Sequence, residues 1–348
     1  MIYPWHQSSW SQLQAASVQQ HHALLLHGPA GAGKHRFAEI LAQSLLCANP
    51  KETGAPCEEC ADCHWFEQKS HPDFRLLTPD ALRAESEADA ELSGEEGARG
   101  EKKLTTQITI EQVRALQDFI FLTTHRRGGR RVILVHPADA MNVFSGNALL
   151  KMLEEPPRGT VFLLVTDELR RLLPTIISRC RRFPLPTANH VDALAWLQDQ
   201  GVADAEILLA QAGGSPLDAL ATAGSEEQQE RRRFLDQLSQ LSGPGAALEL
   251  AAASQKIALS TVVRWLFTWC YDLMAASLTD TVRYHLDYRD AIKKLALRLP
   301  MDQLLIYQDT LKSAARSVNH PLNPRLFLEQ LLLSYLQTIR DSSAGEYI

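Results

Sequence analysis

A short apolar run, the string Gly28-Pro29-Ala30-Gly31-Ala32-Gly33-Lys34 and a helically spaced apolar stretch, in that order, constrain this chain more than any other feature. Residues 23–27 read as a buried strand, and residues 37–46 carry apolar side chains at helical spacing. Strand, glycine-rich turn and helix open an α/β unit, and the turn fits the phosphate-loop pattern G-x-x-x-x-G-K better than an ordinary glycine turn. In such a loop the glycines let backbone N–H groups converge on phosphate oxygens, the lysine adds a point charge, and a following Ser or Thr hydroxyl joins the magnesium shell. Gly28, Gly31, Gly33 and Lys34 are present, but the hydroxyl position holds His35. A neutral imidazole replaces a hard oxygen ligand poorly, because magnesium requires oxygens in near-octahedral geometry.

The other half of a hydrolytic site would be acidic residues at a strand end, holding magnesium and polarising water. The buried-strand run at residues 132–135 is instead followed by His136-Pro137-Ala138-Asp139, which offers no carboxylate at the first two positions and places Asp139 a further turn along. Further strands are expected at residues 74–77, 161–165 and 182–185, with helices at 111–122 and 147–154, the latter stopped by Pro156-Pro157. That alternation predicts a mostly parallel, doubly wound sheet. Residues 79–103, with six carboxylates between Glu85 and Glu96, are expected to form a mobile acidic surface insertion with a short helix at its start. After Pro186 the strand signals vanish. Short helices at 190–200, 204–212 and 216–221 precede a strongly charged helix at 226–241 and a series of long amphipathic helices, so the fold class is α/β followed by all-α.

Four of the six cysteines, Cys47, Cys57, Cys60 and Cys63, fall within one short stretch. Two overlapping C-x-x-C steps turn three thiolates around one ion and the longer arm brings in a fourth, giving the tetrahedral S4 ligation suited to structural zinc. His64 and His71 are nearby nitrogen alternatives, but four thiolates complete the shell. A redox reading is disfavoured because a closed four-sulfur site leaves no open position. The knuckle is expected to staple its own excursion, which has too few apolar residues for a core; its acidic surroundings oppose contact with phosphates.

The formal net charge of −6 excludes a chain that is electropositive throughout, and 45% hydrophobic with 22% charged residues are globular proportions. The start of the chain does not read as a signal peptide, and Arg264 and Asp272 interrupt the most apolar helix, so a cytoplasmic protein without a membrane span is expected.

Together, the phosphate loop, the cysteine quartet, His71-Pro72-Asp73, the string from Asn147 to Pro157 (Asn-Ala-Leu-Leu-Lys-Met-Leu-Glu-Glu-Pro-Pro) and Leu173-Pro174-Thr175-Ile176-Ile177-Ser178-Arg179-Cys180 resemble the delta-prime subunits of the bacterial DNA polymerase III clamp loader, AAA+ proteins related to gamma/tau. The resemblance implies an AAA+ sheet domain over residues 1–186 carrying the zinc knuckle (47–63), a small helical lid over 187–226 and a helical collar over 227–348. It implies assembly with gamma/tau and delta subunits, and contact with the sliding clamp and primer-template DNA through that assembly. Arg179, in the family's Ser-Arg-Cys motif, becomes an arginine finger for a neighbouring subunit's nucleotide. Thr166 takes the first sensor position, whereas the second sensor's arginine is replaced by Leu217. Three departures, His35, His136 and Leu217, predict that the chain hydrolyses no ATP alone and make nucleotide binding doubtful. Two rival readings are an active gamma/tau-type ATPase, which needs the missing oxygen ligands, and a zinc-containing DNA-binding module, which the acidity opposes.

Overall fold

The computed structural model describes residues 2–15, 21–88, 105–122, 124–125, 129–318, 320 and 322–340. They form two compact units, Met1–Asn189 and His190–Ile348.

The first unit is built on five parallel strands, β1 (Ala23–His27), β2 (Phe74–Leu77), β3 (Arg131–Val135), β4 (Thr160–Thr166) and β5 (Arg181–Pro184), in the order β2-β3-β4-β1-β5. Their apolar runs are continuous because helices cover both faces. Alternation within each run divides the core in two. Leu25, Ile133, Val135, Phe162 and Leu164 face α5 (Ile110–Phe121) and α6 (Val143–Glu154), where Val113, Leu116, Leu149 and Leu153 are buried. Leu24, Leu26, Val132, Leu134 and Leu163 pack with Leu13 of α1 (Gln7–Ala15) and with Phe37 and Leu41 of α2 (Lys34–Leu46). Both α5 and α6 start on side-chain caps: Thr109 forms a capping box with Gln112, and the Asn142 side chain accepts from the Phe144 and Ser145 amides. The first-turn helix expected in the acidic insertion is α4 (Asp80–Ala88); residues 89–104 of that insertion lie outside the described residues.

The second unit is helical throughout its described residues, from α8 (His190–Asp199) to α16 (Pro324–Arg340). Its main core joins α11 (Glu226–Ser239), α12 (Pro244–Ser254), α13 (Leu259–Thr279), α15 (Met301–Ser317) and α16 around Leu266, Trp269, Tyr307 and Tyr335. The stripe Val262, Leu266, Trp269 and Leu273 is fully buried, and Trp269 Nε1 donates to Tyr335 Oη at 2.8 Å. A buried polar network stands beside it: Asp272 accepts from the backbone amides of Arg283, Tyr284 and His285, and Arg231 forks onto Asp287 while donating to His285 Nδ1 at 2.6 Å. The short helices α8, α9 (Ala205–Gln211) and α10 (Pro216–Thr222) contribute nothing to the main core; they pack on one another through Ala193, Leu197, Leu208, Leu209 and Ala219. Among the described residues, no helix is long and apolar enough to cross a membrane.

Candidate functional site

Because the strands are parallel, the phosphate loop and Arg179 sit at opposite edges of the sheet. The glycine-rich loop leaves the C-terminal end of β1 and enters α2, with Gly31 (φ 71°) and Gly33 (φ 86°) in the left-handed region that glycine adopts freely. Gly28 has a different constraint: a Cβ there would lie 2.3 Å from the Leu185 carbonyl oxygen, just beyond β5. Strand packing demands this glycine whether or not a phosphate binds.

Side chains of this chain already engage the loop. Lys34, only 4% exposed, bonds the Pro29 carbonyl at 2.5 Å and the Asp167 carboxylate at 2.6 Å. Trp5 Nε1 donates to the Ala32 carbonyl at 3.0 Å, stacking meanwhile on Tyr3. His35 and His136 stack with ring centroids 4.1 Å apart, on the helix start and strand end where magnesium ligands would be needed. Burial lowers the pKa of both; His136 is pushed down to about 3, with the charges of His35 and Lys34 adding to the effect. Two neutral rings therefore occupy these positions at neutral pH, and neither supplies an oxygen. At the end of β4 the Thr166 hydroxyl donates to Asp139 at 2.8 Å and accepts from the Glu168 amide. Asp139, set aside in the sequence as a turn too far along, comes back to the strand end, but as the partner of Thr166.

Arg179 lies at the opposite edge. It follows α7 (Pro174–Ile177) and precedes β5, where Arg181 is level with Leu24 of β1. Leu24 is four residues short of Gly28, roughly 13 Å at about 3.3 Å per residue, and Arg179 lies beyond it. Its Nη1 donates to the Thr175 carbonyl at 2.9 Å, and its Nη2 pairs with Glu154, the last residue of α6. Arg181 and Arg182 are exposed. Cys180 is buried, and burial pushes its thiol up to about 12, as suits an inert packed group.

The four clustered cysteines converge before and at the start of α3 (Ala61–Glu67), with all sulfurs within 4.8 Å of one another. Cys47 lies 3.4 Å from Cys57 and 3.9 Å from Cys60; Cys57 lies 3.9 Å from Cys63. Ligands about 2.3 Å from a tetrahedral centre would be roughly 3.8 Å apart, so the set fits one metal ion. The Cys57 and Cys63 amides point at the sulfurs of Cys47 and Cys60. Burial raises the thiols of Cys47 and Cys63, whereas the amides of Glu59 and Cys60 lower Cys57 to about 6.

The contributions of Asp167, Trp5 and Glu154 were missed in the sequence. Asp167 had a signal, as an acid directly after the sensor threonine. Trp5 had none, since only folding brings it to a loop 27 residues away.

A parallel sheet with a glycine-rich loop between its first strand and the following helix defines a protein of the phosphate-loop class. Residues 6–189 match the family described as DNA polymerase III, delta subunit, and residues 225–337 the one described as DNA polymerase III, delta subunit, C terminal. DNA polymerase III subunit delta' of Pseudomonas aeruginosa is 36% identical over 343 residues, covering 96% of this chain and 97% of its own length. The subunits of the same name from Haemophilus influenzae and Escherichia coli are each 30% identical, over 80% and 78% of this chain and 78% and 76% of theirs. The chain belongs to the DNA polymerase III delta' subunit family, clamp-loader proteins related to gamma/tau.

Proposed function

We propose that this chain is a non-hydrolysing clamp-loader subunit. It assembles in the cytoplasm with gamma/tau and delta subunits, helps place the sliding clamp on primer-template DNA, and donates Arg179 to a neighbour's nucleotide. The observation that carries this reading is the separation of Arg179 from the phosphate loop by the length of the sheet. An arginine so placed cannot serve its own loop, whereas it can project from the edge to another subunit. There its planar guanidinium would contact the transferring phosphate oxygens and stabilise the charge that develops on them. Its own loop is unsuited to the same chemistry: Lys34 is neutralised by Asp167, His35 and His136 offer no oxygen to magnesium, and the family's sensor-arginine position in the sequence carries Leu217.

Within this assignment residues 1–186 are the AAA+ domain, 187–226 the lid and 227–348 the collar through which subunits associate. Cys47, Cys57, Cys60 and Cys63 hold a structural zinc ion. Bound zinc would supply cross-linking of a segment that lacks a core, and a four-sulfur shell leaves no position for catalysis.

The test is the assembly reconstituted with Arg179→Ala or Arg179→Lys in equal amounts of purified complex. Both variants should assemble, and both should lower clamp- and DNA-stimulated ATP hydrolysis, lysine rescuing poorly because it keeps the charge and loses the fork. Unchanged hydrolysis and clamp loading in both would remove Arg179 from the mechanism.

A further inference from the structure

Arg179 is not free in the isolated chain. Its guanidinium is folded back along α7 onto the Thr175 carbonyl, with the Ser178 hydroxyl 3.4 Å from Nη1, and its other terminal nitrogen is held by the Glu154 carboxylate. Glu154 reaches this point because α6 crosses the sheet from the loop edge, where Asn142 caps it, to the edge where β5 starts. A carboxylate presents to a guanidinium the same paired oxygen acceptors that a phosphate does. Glu154 therefore occupies, within the chain, the role that a neighbour's phosphate would take.

We infer that Glu154 is a positioning residue for Arg179, a resting partner that restrains the guanidinium until a phosphate on an adjacent subunit displaces it. This rests on the arginine-finger reading above. The strength of the contact suits the task. Arg179 is 34% exposed and Glu154 47% exposed, and a pair so open to water and ions is weak enough to be exchanged. A transferring phosphoryl group carries more charge and is held in a water-poor site, so it outcompetes the carboxylate once it is in place. Before then, the pair lowers the fraction of time the finger is extended. The contrast with Lys34 is direct, since that side chain is almost wholly buried in its own pairing.

Two readouts separate this inference from the reading beneath it. On the isolated full chain, phenylglyoxal labelling followed by peptide mass spectrometry measures access to Arg179, with exposed Arg181 and Arg182 as internal references. Glu154→Gln and Glu154→Ala should label Arg179 about two- to fivefold faster than wild type, the gain a weak surface pair allows, with an unchanged melting midpoint. In the reconstituted assembly the same variants should raise ATP hydrolysis without clamp and DNA by a similar factor, and Arg179→Ala in the same chain should erase the gain. Unchanged labelling in both variants overturns the role of Glu154, while the finger reading stands if Arg179→Ala still lowers hydrolysis. Faster labelling with hydrolysis unchanged or lowered overturns the restraint, and if Arg179→Ala is silent as well, the finger reading fails with it.

Discussion

The two edges of the sheet carry the same kind of contact, a basic side chain paired with a carboxylate of the same chain, yet they differ in burial. At the loop edge Lys34 is 4% exposed and also bonded to a loop carbonyl; the nearby imidazoles are stacked, and Trp5 is tied to Ala32. Asp167 itself is 47% exposed, so what separates this edge is the buried Lys34 ammonium, which is costly to leave without its partners. At the other edge Arg179 makes one half-exposed ion pair and one firm backbone hydrogen bond. Lys34 is held by buried contacts, while Arg179 rests on a contact that water or another anion can replace. Burial of the basic side chain, more than the identity of the charges, separates the two contacts.

The sharpest way to break this comparison is to remove both bases in turn and measure the whole assembly. Arg179→Ala should reduce turnover at the neighbouring site by about 10³ to 10⁵ if it acts as a finger, seen as a partial loss of total activity because other sites remain. Lys34→Ala should leave assembly turnover within error of wild type. Equal losses for the two would mean that the loop edge is also a working site.

A smaller effect, on stability, is expected at the knuckle. Changing Cys47, Cys57, Cys60 and Cys63 to serine, or removing zinc with a chelator, should abolish co-purifying metal and lower the melting midpoint of the first unit by several degrees, since structural zinc contributes directly to folding. Elemental analysis finding no metal in the wild-type chain would sink the zinc assignment.

Gly28→Ala tests whether the loop glycine is kept for packing. The added methyl meets the Leu185 carbonyl oxygen at 2.3 Å, so the substitution should cost about 1–3 kcal/mol in chemical denaturation. A neutral result would show that the β1–β5 contact yields easily.

A last effect is a pH dependence at the loop edge. Burial holds His136 at about 3 and His6 at about 4, below the ordinary histidine value near 6.5. The folded chain then binds fewer protons than the unfolded chain between those values, so this contribution is complete above about pH 6.5 and is lost as pH falls. His136→Asn should flatten the fall in unfolding free energy between pH 6.5 and 4 by up to about 1.4 kcal/mol per pH unit. An unchanged slope would show that His136 gains access to solvent before the chain unfolds.

Much of the fold could be read from the chain because its signals are local. Strand β1 was located to the residue, since the apolar run 23–26 ends at His27 before the glycine-rich loop, whereas β4 was read one residue short at each end and β5 was shifted by one residue. Helix α6 was read from 147 and begins at Val143, because its first turn depends on the Asn142 cap and on Phe144, which is 72% exposed and gives no apolar periodicity. The cysteines were legible as a set for the same reason: three of four are six residues or fewer apart, and a metal shell is a local demand.

What the sequence determined by itself was the inventory: a phosphate loop without its oxygen ligands, a four-thiol shell, an α/β unit followed by helices, and an arginine in a family motif. Which groups answer one another was decided only in three dimensions. Lys34 meets Asp167 just past the end of β4, Thr166 meets Asp139 beyond the end of β3, and Arg179 meets Glu154 across the sheet edge. Each pair joins residues at least 25 positions apart, so neither propensity nor spacing along the chain encodes it. Parallel strand order brings the ends together, and the exclusion of water then sets whether each contact is closed or exchangeable.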